Sequence, residues 1–205
     1  MGLAVNDVLD AEPYGTTALL IWCRPEQTLA VAERARARWP RASDVVPAAA
    51  SVLVDGIGEV GAAASEVRTW SVDPAPTASD RVIELPVHYD GPDLGDVASI
   101  WGVSVDRVAE IHSAQLYVVA FCGFAPGFAY CAGLPPERAV PRRSTPRSRV
   151  ESGSVALADV YTGVYPTASP GGWQVIGRTD AALWDLGRED PALLTPGTSV
   201  RFVAR

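Results

Sequence analysis

The spacing of apolar and polar positions changes character twice along the chain. Thr17 to Cys23 (TALLIWC) is a short apolar run of strand type. Glu26 to Trp39 then sets Leu29, Ala32, Ala35 and Trp39 at helical spacing, with arginines on the other face and Pro40 as the stop. Ala50 to Asp55 (ASVLVD) reads as a second strand and the Ala-rich stretch Glu59 to Trp70 as a second helix. This β-α-β-β-α-like order predicts a small ferredoxin-like α/β domain over residues 1–80. Asp73 to Asp80 (DPAPTASD) has no apolar period and is the expected linker. Beyond it, Arg81 to Tyr89 (RVIELPVHY) alternates like a strand. Two short helices follow, one opened by Asp93 (LGDVASIWG) and one by Ser104 as N-cap (VDRVAEIH). From Gln115 the chain breaks into strands between Gly/Pro loops: LYVVAFCGF, GSVALADV, GGWQVIGRT and TSVRFVAR. Short strands separated by turn signals predict a closed or partly closed β-barrel over 81–205. The expected fold class is α+β.

Composition supports that outline and removes several functions. Gly and Pro, 18 and 17 of 205 residues, fit many turns and short strands. A net charge of −7 argues against a nucleic-acid binder, which has to neutralise phosphates. All 17 basic residues are Arg, so neither a phosphate loop that needs its Lys nor Schiff-base chemistry is available. Three cysteines (Cys23, Cys122, Cys131) without CxxC spacing and only two histidines give no metal set, and no metal is expected. The start, MGLAVNDVLDAEPYG, lacks the basic and apolar blocks of a signal peptide. The uncharged stretch from Ala114 to Pro136 is interrupted by Gly123, Pro126, Gly127 and Gly133, which suits a buried strand and loop better than a membrane span. A soluble, cytoplasmic protein is expected.

Four features carry candidate chemistry. GFAPGFAYCAGL (123–134) interleaves aromatics with glycines, either to wall a pocket or to bury Phe124 and Phe128 in a turn. PERAVPRRSTPRSR (136–149) holds Arg138, Arg142, Arg143, Arg147 and Arg149, with Glu137 at its start as its only acid. Guanidinium forks grip carboxylates and phosphates, and Pro141 and Pro146 stiffen the loop; a solvated or partner-facing loop is the alternative. YTGVYPTASPGGWQVIGRT (161–179) contains the strong turn Ser169-Pro170-Gly171-Gly172, flanked by Tyr165, Trp173 and Arg178; it is either a site or a tight hairpin. His88 and His112 are each a possible base, although His112 at a helix end more simply caps it. There is no triad, metal cluster or carboxylate pair in a recognisable frame, which favours a protein that supplies half a site within a larger complex.

The runs HSAQLYVVAFCGFAPGFAYCAGLP, AVPRRSTPRSRVESGSVAL and TGVYPTASPGGWQVIGRT also resemble the signature of the family of B-type 5-oxoprolinase subunits, whose domain is also called allophanate hydrolase subunit 1, KipI-like, or carboxyltransferase subdomain C/D. The resemblance runs from about Arg81 to the C-terminus. It implies a cyclophilin-like β-barrel after the small α/β domain. It also implies a hetero-oligomer with the family's C-type partner (allophanate hydrolase subunit 2), possibly with an A-type component as well. The activity it implies is cleavage of a cyclic or urea-like amide such as 5-oxoproline, with ATP as co-substrate of the assembled complex.

On that resemblance the catalytic candidates are Arg142, Arg143, Tyr165, Ser169 and His112. Substrate-binding candidates are Arg149, Thr145, Phe128, Tyr130, Gly171, Gly172, Trp173 and Arg178. The arginines 142, 143 and 149 would clamp a carboxylate, and Tyr165 or Ser169 would orient the amide. Departures from the family pattern are Glu151-Ser152 in place of Pro-Ala, Tyr161 in place of Gln, and Thr16 in place of Asp. Two relatives imply other readings: a regulatory module that inhibits a histidine kinase, and a carboxyltransferase domain of a urea-carboxylase-like system.

Overall fold

The computed structural model describes residues 9–73 and 82–205. The expected linker, apart from Asp73, and the expected strand's Arg81 lie outside the described residues. The chain divides into two compact units, residues 1–76 and 77–205.

In the first unit, strands β1 (Asp10–Tyr14), β2 (Ala18–Trp22), β3 (Asp44–Pro47) and β4 (Ser51–Asp55) form an antiparallel sheet of order β1-β2-β4-β3. Helices α1 (Thr28–Arg38) and α2 (Val60–Val67) cover one face of it. Paired Leu19 and Val54, and Ile21 and Val52, point to the same side because strand side chains alternate. They are buried there with Val31, Ala32 and Ala35 of α1 and Ala63, Ala64 and Val67 of α2. Val31 takes the inward place expected for Leu29, which is half-buried. The two strands absent from the sequence expectation, β1 and β3, are the sheet edges. Each carries a proline and few inward apolar residues, so neither shows an alternating pattern.

The second unit contains β5 (Val82–Val87), α3 (Leu94–Trp101), α4 (Val105–Ala114), β6 (Tyr117–Cys122), β7 (Ala129–Ala132), β8 (Arg147–Val150), β9 (Ser154–Ala158), β10 (Tyr161–Val164), β11 (Ser169–Gly171), β12 (Gln174–Arg178) and β13 (Ser199–Ala204). Seven strands make one sheet of order β12-β9-β10-β7-β6-β13-β5, and β8 pairs with β11 in a small separate ribbon. Only β5 and β13 run parallel. The two edges are drawn together just beyond β5. His88 and Arg178 exchange both backbone hydrogen bonds at 2.9 Å, and the amides of Gly91 and Asp93 donate to Ile176 and Val175. A Cβ on Gly91 would lie 2.3 Å from the Ile176 carbonyl carbon, so this near-closure of the barrel depends on glycine there. The unit is thus a mixed α/β structure with a nearly closed, barrel-like sheet.

Ser104 caps α4 through its Oγ, which accepts from the Arg107 amide at 3.4 Å, as the sequence led us to expect. The uncharged stretch 114–136 forms β6 and β7, and no described helix is long and apolar enough to cross a membrane. β9 is buried along its whole length and separates two cores. Val155 and Leu157 face the main core with Val97, Trp101, Val108 and Phe202. Ala156 and Ala158 face the opposite side, with Phe128, Tyr165 and Trp173. The second, aromatic core underlies the candidate site.

Candidate functional site

Three sequence motifs converge on one cleft of about 130 Å³ in the second unit. Phe124, Phe128 and Tyr130 come from the loop before β7 and from β7 itself. Arg142 comes from the arginine segment, and Tyr165, Pro170, Gly171, Gly172 and Trp173 from the hairpin around β11. Phe128 is the hub of the walls, edge-on to Phe124, Tyr130, Tyr165 and Trp173 at centroid distances of 5.1–5.4 Å. Such pairs contribute about 0.5–1.5 kcal/mol each beyond the area they bury.

Small residues make room for these rings. A Cβ on Gly163 would stand 2.8 Å from the Phe128 ring, and one on Gly171 would stand 2.2 Å from the Tyr165 hydroxyl. Phe124 sits at φ +71° in a tight turn in which the Ala125 amide donates to the Gly123 carbonyl at 2.9 Å, and its ring is 62% exposed at the cleft rim. Of the two aromatics that a simple buried turn would hide, Phe128 is buried and Phe124 is not.

Burial raises the Tyr165 hydroxyl above its ordinary pKa, partly offset by a backbone hydrogen bond at Trp173. Burial also raises Tyr130, partly offset by the positive charge of Arg142. Both phenols therefore stay protonated near neutral pH, so each keeps an O–H that can donate. Arg142 pairs with no acid among the described residues. The cleft thus offers apolar ring faces, two hydroxyl donors and one guanidinium, which suits a small, flat anion. It is smaller than the roughly 300–1,000 Å³ usual for a complete ligand pocket.

The structure separates the remaining candidates from this cleft. Arg143 turns the other way and bonds Asp93 at 2.6 Å, while its backbone amide donates to the Gly172 carbonyl. Arg149 is 67% exposed and bonded to Glu151 at 2.7 Å. Glu151 is one of the departures from the family pattern, so that departure supplies the partner that occupies Arg149. Thr145 is exposed on the arginine loop. Ser169 lies in β11 with its Oγ buried and without a hydrogen-bond partner among the described residues. Arg178 closes the barrel and bonds Asp90 at 2.9 Å.

His112 is sealed in the main core. Its ring nitrogens lie 2.7 Å from the Tyr89 hydroxyl and 3.1 Å from Thr162 Oγ1, and its ring packs on Tyr117 and Phe202. Burial depresses its pKa to about 3, so it is neutral at physiological pH. Tyr161 packs edge-on against Phe121 and Tyr130, behind the cleft wall.

Sequence reasoning missed one central residue. Asp93, read only as the start of a helix, makes no side-chain cap there. It is buried and gathers Arg143, Arg147 and the Val175 amide. Burial pushes its carboxyl up, but the hydrogen bonds from Arg147 and Val175 and the two guanidinium charges outweigh that and hold it below the usual carboxylate range. The signal was charge complementarity, because a loop of arginines with one acid needs a counter-charge elsewhere.

No group of three or more His, Cys, Asp or Glu side chains comes together among the described residues. A larger depression of about 360 Å³ lies on the first unit, lined by Arg38, Trp39, Arg41, Glu59 and Glu66 among others. None of the three motifs reaches it, and its Arg38 and Glu66 are already paired with each other at 2.6 Å.

The second unit thus carries, on a nearly closed sheet, an aromatic cleft lined by a single guanidinium and by no histidine or carboxylate. The chain belongs to the carboxyltransferase domain, subdomain C and D, family, whose pattern matches residues 9–194. It is 50% identical to the B-type 5-oxoprolinase subunit of Escherichia coli O157:H7 over 139 residues, a match spanning 66% of this chain and 64% of that relative. It is 30% identical to urea amidolyase of Saccharomyces cerevisiae over 114 residues, or 52% of this chain and 6% of that one. Among solved structures, the longer chain TTHA0988 superposes with a TM-score of 0.76 at 36% identity, covering 92% of this chain and 40% of TTHA0988.

Proposed function

We propose that this chain is the B-type subunit of a cytoplasmic, ATP-dependent amide hydrolase that opens a cyclic amide such as 5-oxoproline. It would work in a hetero-oligomer with the C-type partner (allophanate hydrolase subunit 2), with the A-type protein as a further component. The carrying observation is the cleft in which Arg142 faces an aromatic box with two phenol donors. A cyclic amide acid matches it group for group. The carboxylate pairs with Arg142, the ring edges lie on Phe128 and Trp173, and Tyr130 and Tyr165 reach the lactam. The cleft's small size fits a site completed by a partner. With no lysine in the chain, the nucleotide sits on another component or in an unconventional site. In this reading the two units are domains of about 1–80 and 81–205. The first is a ferredoxin-like sandwich whose fourth strand is supplied by β1, and the second is a cyclophilin-like barrel.

The family description and the urea amidolyase relative favour a second reading, transfer of a carboxyl group within a urea-carboxylase-like system. Co-purification with the C-type partner, followed by an ATP-dependent 5-oxoproline assay with the A-type protein added, separates the two. Glutamate formed only by the full mixture supports the hydrolase. A stable complex active only with a carboxylated biotin donor moves the second reading to the front, and no complex at all defeats both.

A further inference from the structure

The segment that carries Arg142 is fastened on both flanks. On one side, the Gln174 side-chain amide donates to the Pro141 carbonyl at 3.2 Å. On the other, the Arg143 amide donates to the Gly172 carbonyl at 2.8 Å, and its guanidinium reaches Asp93 Oδ1 at 2.6 Å. Arg147, at the start of β8, closes the loop on the same carboxylate with two bonds of 2.7 Å. Asp93 itself is fixed in place, since its Oδ2 accepts from the Val175 amide at 2.6 Å and its own amide donates to the Val175 carbonyl at 3.0 Å.

One carboxylate, 1% exposed, thus ties the start of α3, both ends of the arginine turn and the start of β12. Arg142 is the residue between the fastenings, and of these arginines it alone lines the cleft.

We infer that Asp93 is a positioning residue that aims Arg142 into the cleft by holding Arg143 and Arg147; this rests on the substrate-clamp reading above. The charge balance gives the arrangement a second consequence. Three guanidiniums within six residues would compete for an anionic substrate and repel one another. Asp93 occupies two of them and leaves one for the ligand. Holding a long, rotamer-rich side chain in its binding geometry before the substrate arrives lowers the entropy cost of binding.

The test is steady-state kinetics of the reconstituted complex on 5-oxoproline with four forms of this chain: unaltered, Asp93→Asn, Arg142→Ala and the double variant. Asp93→Asn is expected to raise KM about tenfold, equivalent to about 1.4 kcal/mol, with kcat nearly unchanged. In the Arg142→Ala background it is expected to add nothing. A purely structural role predicts effects that multiply across the two sites, and that result overturns the inference while leaving the cleft reading intact. An unchanged KM in Arg142→Ala defeats the cleft reading and this inference with it, as does absence of turnover in the unaltered mixture. If Asp93→Asn fails to fold, Arg147→Lys keeps the charge and loses the fork. It is expected to raise KM in the same direction and only when Arg142 is present; an unchanged KM there also overturns the inference.

Discussion

Asp93 and Arg147 meet in a two-bond fork, with both guanidinium nitrogens 2.7 Å from the two carboxylate oxygens, although the residues are 54 positions apart in the chain. The carboxylate is buried and its partners are largely shielded, so removing it strands two guanidiniums and the Val175 amide together. Breaking a buried pair from one side costs about 3–5 kcal/mol. Asp93→Ala is expected to destabilise the protein by that amount, read as a lowered urea midpoint.

The folded-state pKa of Asp93 lies below its unfolded value, so its contribution is complete above about pH 4 and is lost as pH falls through the folded value. The midpoints of the unaltered protein and Asp93→Ala should therefore converge on acidification. A gap that persists at low pH would show that the carboxylate's charge is not what stabilises the junction.

Arg149 provides the contrast. Its motif groups it with Arg142 and Arg143 as a carboxylate clamp, but it lies out in solvent against Glu151. Exposed pairs of this kind contribute little, because water and salt screen them and two long side chains have to be ordered. Arg149→Ala is expected to leave both the unfolding midpoint and the KM for 5-oxoproline unchanged, whereas Arg142→Ala raises the KM. A loss of activity in Arg149→Ala equal to that in Arg142→Ala would return Arg149 to the site, with the partner protein as the agent that draws it in.

What could be read from the sequence follows how local each signal is. The strands and helices with an inward apolar stripe, from TALLIWC to TSVRFVAR, were legible because their period is fixed by their own packing face. Edge strands β1 and β3 were not, since the one or two inward residues of each are too few to make a period. β7, β8, β10 and β11 were hidden inside Gly- and Pro-rich motifs, where turn residues mask the backbone pairing. The three motifs of the cleft were each visible, and their meeting was not, because it depends on strand order across β9, β10 and β7. Which arginine is left to line the cleft was decided by Asp93 and Glu151, two acids that spacing alone does not pair with the others. His112 stood out as an isolated titratable group, and only burial between Tyr89 and Thr162 shows it to be core.

Phe124 makes a prediction whose sign is unusual. At φ +71° a non-glycine side chain carries strain on the order of 1–3 kcal/mol. At an ordinary position glycine is less stable than alanine by about 0.5–1 kcal/mol, because it has more backbone freedom to lose. Here Phe124→Gly is expected to be the more stable of the two variants, since it relieves the left-handed backbone that Phe124→Ala retains. Both lose the exposed ring at the cleft rim, so both should weaken 5-oxoproline binding equally. Denaturant melts and KM values of the pair test the two halves separately. Alanine being the more stable would mean that the turn around Phe124 relaxes freely and stores no strain.

His112 sets a pH dependence of the opposite chemical origin to Asp93, with the same direction. Its imidazole is neutral in the fold because burial depresses its pKa to about 3, whereas in the unfolded chain it titrates near 6.5. Below about pH 6.5 the unfolded state gains a proton that the folded state refuses, so stability falls as pH falls, by up to about 1.4 kcal/mol per unit, until the folded value is reached. The groups around the ring are the hydroxyls of Tyr89 and Thr162 and the rings of Tyr117 and Phe202, none of which supplies a charge to offset this. His112→Gln retains hydrogen-bonding capacity toward Tyr89 and Thr162 and removes the titration. It is expected to be less stable at neutral pH, and to lose less stability than the unaltered protein between about pH 6.5 and 4.5. Equal slopes in the two proteins would mean that His112 takes up its proton while folded, which a ring closed in by Tyr117 and Phe202 should not allow.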